Sequence, residues 1–215
     1  MKEYAALVLR TSDEDGRGYG GFQWPESGPV AAPDWKPVKE CGRGLHGLLW
    51  GHGDLSLLEW GSDALWQVVG LSDDELAKTL EFDGKCKFPS GEVVFSGPMR
   101  GAVFYLAEHG GSGHGFHAVA DSTAAEAKTG DVIFAYDSSS VTAYGSSSVT
   151  ACGSSSVTAC GSSSVMAYGS SSVMAYGSSS VTVFKIKVLD IRDCAVAIDR
   201  RTYGKVRALL AGDSL

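Results

Sequence analysis

Hydrophobic and polar positions follow two regimes along the chain. From Tyr136 to Val183 an aliphatic residue recurs at every eighth position, in octads that begin at Tyr136, Tyr144, Cys152, Cys160, Tyr168 and Tyr176 and read (Y/C)-(G/D)-S-S-S-V-(T/M)-(A/V). Eight residues do not divide into helical turns, and a glycine with three serines per unit opposes a helix. A strand fits instead: in Ser-Val-Thr-Ala the valine points to one side and its Ser and Thr neighbours to the other. Glycine at the second position supplies the turn.

One octad encloses nothing. Two make a flattened sixteen-residue coil with a strand on each side, and stacked coils pair continuously, so the pattern predicts a β-solenoid. Stacking predicts ladders of Val141, Val157 and Val173 on one wall and Val149, Val165 and Val181 on the other, with Ala143, Ala151, Ala159, Ala167 and Ala175 filling the interior. First positions form two columns, Tyr136-Cys152-Tyr168 and Tyr144-Cys160-Tyr176, which separates Cys152 from Cys160. Thr142, Thr158 and Met174 are expected on one outer face, and Thr150, Met166 and Thr182 on the other. The phase continues weakly through VADSTAAEA and KTGDVIFA upstream and FKIKVLDI and RDCAVAID downstream, for about five coils. Lys185, Lys187, Asp190 and Arg192 suit a cap, because an uncovered rung exposes strand edges that invite association.

The preceding region has no such period. AALVLR (Ala5 to Arg10) and LWQVVGL (Leu65 to Leu71) read as strands. SDDELAKTL, from Ser72 to Leu80, reads as a helix with Ser72 as N-cap and acids in its first turn. KCKFPSGEVVFSG reads as a hairpin turning at Pro89-Ser90-Gly91, and MRGAVFYLAEHG as a helix ending at the glycines that follow. The fold expected is mainly β: a small α+β domain over residues 1–112, a two-strand-per-coil β-solenoid over 113–199 with a charged C-terminal cap, and a basic tail over 200–215.

Charge sharpens this division. The 18 basic and 25 acidic residues leave a net −7, yet no residue between Ser138 and Phe184 is charged. The segment from Lys185 onward holds seven basic and four acidic residues, so the front region is strongly acidic. An acidic domain argues against phosphate-backbone binding there, so no direct nucleic-acid contact is expected of it. No apolar run is long enough to cross a membrane and MKEYAALVLRTSDEDG lacks the form of a leader, which points to the cytoplasm as the default. Five cysteines without dense spacing point to reduced thiols.

Cys41, His46 and His52 give C-x4-H-x5-H, and His109, His114 and His117 lie among glycines; neither set has the spacing of a complete zinc site. Arg43 and His46 in GRGLHG compare with short Arg and His motifs of nucleotide-using transferases, and an enzyme reading rests on these two. GSGHG lacks the Gly-Lys-Ser/Thr of a phosphate loop. No cofactor and no metal are expected.

Two resemblances add to this. The unit GSSSVTAY resembles octad arrays of bacterial and phage solenoid proteins and, distantly, half of the sixteen-residue ice-nucleation repeat; Met166 and Met174 interrupt its threonine rows, and the array is only a few coils long. The pieces YGGFQW, KECGRGLHGLLW and GKCKFPSGEVVFSG resemble an uncharacterised domain of phage and prophage proteins with a G-F-Q segment and a C-x-x-G-L-H motif, often followed by an octad solenoid. That second resemblance implies a phage setting. The leading expectation is a non-enzymatic, phage-encoded interaction protein, concretely an anti-CRISPR-like inhibitor of host defence, whose acidic domain binds a basic surface of a host or phage protein. Asp73, Asp74, Glu75, Tyr136, Tyr144, Tyr168 and Tyr176 are the expected interaction surface. The alternatives are a nucleotide- or nucleic-acid-directed enzyme using GRGLHG, and a structural solenoid whose copies associate.

Overall fold

A computed structural model describes residues 3–184, 188–200 and 207–211. The chain divides into two compact units, Met1–Phe116 and His117–Leu215. Lys185 and Lys187 of the expected cap, and Arg201 and Lys205 of the basic tail, lie outside the described residues.

The first unit is built on a seven-stranded antiparallel sheet. Its strands are β1 (Ala6–Ser12), β2 (Gly28–Ala31), β3 (Leu45–Leu49), β4 (Leu65–Leu71), β5 (Leu80–Phe82), β6 (Lys85–Phe88) and β7 (Ser90–Gly97), in the order β2-β7-β4-β1-β3-β6-β5. Helix α2 (Met99–Glu108) lies across β1, β4 and β7 and buries Ala102, Val103, Leu106 and Ala107. On the other face Trp24 and Val30 cover Ala6, Val8, Val69 and Leu71. β1 and β4 are central and covered on both faces, so they read as continuous apolar runs and not as alternating ones.

Two local expectations are corrected. The helix at Ser72 is a single turn, α1 (Asp73–Leu76), closed by a Ser72–Glu75 capping box. Residues from Leu80 onward join the sheet instead, because pairing with β6 outweighs helix propensity. KCKFPSGEVVFSG is not a hairpin: β6 pairs with β3 and β5, whereas β7 pairs with β4 and β2 at the far side. The hairpin is β5–β6, turned by Asp83 and Gly84 at φ 47° and 71°. Asp-Gly with both residues left-handed matches the twist of paired strands.

The second unit is a two-walled β-solenoid. One wall runs β8 (Phe116–Val119), β10 (Val132–Ala135), β12 (Ser148–Ala151), β14 (Ser164–Ala167), β16 (Ser180–Val183) and β18 (Val196–Asp199); the other runs β9 (Ala124–Ala127), β11 (Ser140–Ala143), β13 (Ser156–Ala159), β15 (Ser172–Ala175) and β17 (Val188–Ile191). Neighbours are parallel and offset by sixteen residues, as in Val141↔Val157 and Val149↔Val165. About five coils result. Pairing continues around the corners, where Ser162 N–H donates to Gly145 O at 2.9 Å and Ser154 N–H to Asp137 O at 2.8 Å. Gly161 sits at φ 71°, and a Cβ there would lie 3.1 Å from the Gly145 carbonyl oxygen one coil below. Asp137 takes the same left-handed conformation at φ 57°, which a short polar side chain tolerates.

The valine and alanine ladders are interior as expected. They have a third partner that pattern reading overlooked. The middle serine of each octad, from Ser139 to Ser179, is also buried, so the inward set is Ser-Val-Ala at alternate positions. Ser179 donates to Tyr176 O at 2.8 Å, whereas the hydroxyls of Ser139, Ser147, Ser155, Ser163 and Ser171 have no hydrogen-bond partner among the described residues. Counting back from valine with a period of two would have found it.

The end of one wall is closed by strand β19 (Arg207–Leu209), antiparallel to β18, with Leu209 buried in the core. Reversed direction breaks the parallel stacking rule, so a further coil cannot simply add there.

Candidate functional site

The outer surface of the solenoid is set by the strand pleat. On the β11 wall, pairing aligns Glu126, Thr142, Thr158, Met174 and Asp190 in one row and Ser140, Ser156 and Ser172 in the next. Acids stand only at the ends of that first row, so its middle is uncharged. On the β12 wall the corresponding row is Phe134, Thr150, Met166, Thr182 and Ile198. Thr150 was expected among the outward-showing residues, but both it and Phe134 are fully buried. Phase settles the side to which a residue points, not whether solvent lies there. The β11 wall therefore carries the more open hydroxyl rows.

The two aromatic columns differ. Tyr136 and Cys152 are buried, and the Tyr168 ring stacks on Phe184 with centroids 4.5 Å apart and planes 4° apart. Burial pushes the Cys152 thiol up to about 12 and raises the Tyr168 phenol. In the other column Tyr144 is 47% exposed, and Tyr176 lies under the Arg192 guanidinium at 5.5 Å. Arg192 is also bonded to Asp190 at 2.7 Å. These two charged residues of the expected cap thus close an aromatic column by a cation–π contact.

The acidic trio separates by role. Asp73 and Asp74 are exposed, but Glu75 accepts from Ser72 N–H at 2.8 Å and from Ser90 Oγ at 2.8 Å, tying α1 to β7. Its carboxylate is committed to structure.

The GRGLHG loop enters β3 beside a groove of about 1080 Å³ in the first unit. Arg43 holds a left-handed backbone at φ 53°, and His46 pairs across the ladder with Lys87. Lys85 Nζ lies 2.8 Å from Cys41 Sγ. Burial first, then Lys85 and Lys87, lowers the His46 pKa from 6.5 to about 4. A depressed base contributes stability above pH 6.5 that is lost as pH falls through about 4. The His46 imidazole is therefore expected to titrate by NMR near pH 4, with the first unit weakening over that window; a midpoint at or above 6 contradicts this.

Two of the other histidines pack on rings: His114 stacks on Trp50 at 4.1 Å and His109 on Tyr105 at 3.9 Å. Among the described residues, no three His, Cys, Asp or Glu gather in metal-holding geometry.

No family model matches the chain, and no solved structure matches it. The chain is 40% identical over 109 residues to the ice nucleation protein InaU of Pantoea ananas, covering 51% of this chain and 10% of that protein. It is 40% identical over 109 residues to an ice nucleation protein of Enterobacter agglomerans, covering 51% and 9%, and 37% identical over 101 residues to one of Pseudomonas syringae, covering 47% and 8%. The chain thus spans about a tenth or less of the length of these curated relatives. These matches overturn the expectation of a phage-encoded inhibitor of host defence: its basis was an acidic domain and a motif likeness, and the relatives are named for nucleating ice. They overturn the cytoplasmic placement too, which rested on a missing leader and a missing apolar span. No described helix is long and apolar enough to cross a membrane, and that places the chain in no compartment. What the relatives support is the structural alternative, an octad solenoid similar to ice nucleation proteins.

Proposed function

We propose that the solenoid is a rigid scaffold whose hydroxyl rows order water, and that the chain takes part in ice nucleation as the named relatives do. The observation that carries this is the sixteen-residue register, which holds Ser156 over Ser140 and Thr158 over Thr142 on a wall without charge from 138 to 184. Strands stack about 4.8 Å apart, and alternate residues along a strand stand about 6.7 Å apart. Ser and Thr at alternate positions therefore form a two-dimensional lattice of hydroxyls. Each offers one donor and two acceptor sites, so neighbouring groups can share and orient water. Backbone pairing that continues around the corners keeps the lattice fixed while water settles on it.

Area limits a template. Five coils interrupted by Met166 and Met174 give a small patch, so joining of copies through the solenoid enlarges the ordered surface. The five-stranded wall ends at β9 and β17 among the described residues, and such edges can accept a further strand.

Droplet freezing tests the reading. Droplets holding the chain are expected to freeze at higher temperature than buffer, and Thr142→Lys with Thr158→Lys is expected to remove most of that gain while circular dichroism stays unchanged. Freezing of the parent chain at the buffer temperature sinks it.

A further inference from the structure

Arg10 is a charge without a counterion among the described residues. It lies on β1, 5% exposed, and lines the groove of the first unit. Its guanidinium donates to Gln67 Oε1 and to Thr11 O and stacks 3.6 Å over the Trp24 ring. No carboxylate among the described residues lies within ion-pair distance of it. Burial without compensation lowers its pKa from 12.5 to about 9. Enclosing a cation in this way is costly unless an anion neutralises it.

A second, independent observation lies two residues on. Ser12 is 3% exposed, lines the same groove, and its Oγ has no hydrogen-bond partner. Strand alternation puts Ser12 on the same face as Arg10. A buried hydroxyl left unpaired is unusual and calls for a partner. Between them the two side chains leave donors unused: a guanidinium has five N–H groups, of which Gln67 and Thr11 take two. Gly18 packs close on the same two groups, since a Cβ there would lie 3.2 Å from the guanidinium and 2.7 Å from Trp24 Nε1.

We propose that Arg10 and Ser12 form a binding site for a small oxyanion-bearing molecule, a carboxylate or phosphate compound whose oxygens lie on the free guanidinium N–H groups and the Ser12 hydroxyl. Gln67 and Trp24 are positioning residues that fix the plane of the fork. The groove is large enough for a metabolite of several hundred Å³. Asp13 and Glu59 also line the groove, which disfavours a long polyanion and favours a compact ligand with one anionic end.

Titration calorimetry and thermal shift on the full chain test this, with inorganic phosphate and acetate as separate probes at constant ionic strength against chloride. Saturable one-to-one binding of at least one probe is expected, with a raised melting temperature. Arg10→Lys keeps the charge but not the fork and is expected to weaken binding at least tenfold; Ser12→Ala keeps the fold and is expected to weaken it several-fold. Arg192→Gln, in the other unit, leaves binding unchanged. No saturable response to either probe, or equal affinity in Ser12→Ala and the parent, overturns the site. If Arg10→Lys fails to fold, Ser12→Ala alone decides.

Discussion

Val157→Asp is expected to abolish cooperative folding of the solenoid, at a cost of at least about 4 kcal/mol, while Thr158→Asp next to it shifts stability by about 0.5 kcal/mol. Val157 is 2% exposed and stacked between Val141 and Val173. A carboxylate there has only aliphatic neighbours and the buried serine row, so its desolvation goes uncompensated. The loss also propagates. In a stacked array each coil is stabilised mainly by contact with its neighbours, so a disrupted central coil removes two interfaces at once and leaves fragments too short to hold a core. Thr158 faces outward on the same strand, and its replacement touches no core contact. Urea unfolding followed by far-ultraviolet circular dichroism separates the two, and similar losses in both variants would mean that the inward and outward sets are misassigned.

Lys87→Ala carries the next largest effect, about 3–5 kcal/mol in the first unit. Lys87 is fully buried on β6, where Nζ donates to Val38 O at 2.9 Å and Glu40 O at 3.1 Å and lies 5.7 Å from the Trp35 ring. Those two bonds pin the loop that leads into GRGLHG, and a Cβ on Gly44 would come within 2.9 Å of the lysine stem. Truncation leaves a cavity, removes the lysine's bonds to both carbonyls, of which Val38 O keeps only the Glu40 N–H at 2.9 Å, and releases the loop. Lys87→Met fills most of the space and removes the buried charge together with its bonds, so its cost is expected to stay below about 2 kcal/mol. Chemical denaturation of both variants checks the order; equal costs would show that the carbonyl anchoring alone, not the filled volume, holds the loop.

The sequence shows the solenoid plainly because its pleat, its coil length and its turn residues all repeat in one phase, so each octad confirms the others. Val141 and Ala143 could be placed indoors from periodicity alone. Ser139 is easily overlooked between Ser138 and Ser140, since three identical residues carry no contrast, and only the phase counted back from Val141 places it inside. The first unit was less legible, since its strands are paired by long-range contacts. Pro89-Ser90-Gly91 has the composition of a hairpin turn but carries the chain from β6 to the other side of the sheet, whereas Asp83-Gly84 makes the turn. Arg10 is hidden for the same reason: nothing in AALVLR distinguishes a surface arginine at a strand end from one enclosed by Trp24 and Gln67. Glu75 was read as surface charge, and only the contact with Ser90 shows it to be a structural tie.

The central claim, that ordered hydroxyl area on a rigid solenoid does the work, is tested most directly by changing that area alone. Duplicating residues 144–159 adds one coil in register, and duplicating them twice adds two, with both ends of the chain untouched. Median droplet freezing temperature, measured at equal molar protein, is expected to rise with each added coil and to be unaffected by Ser12→Ala in the first unit. A freezing temperature that stays the same across the three lengths would contradict the account.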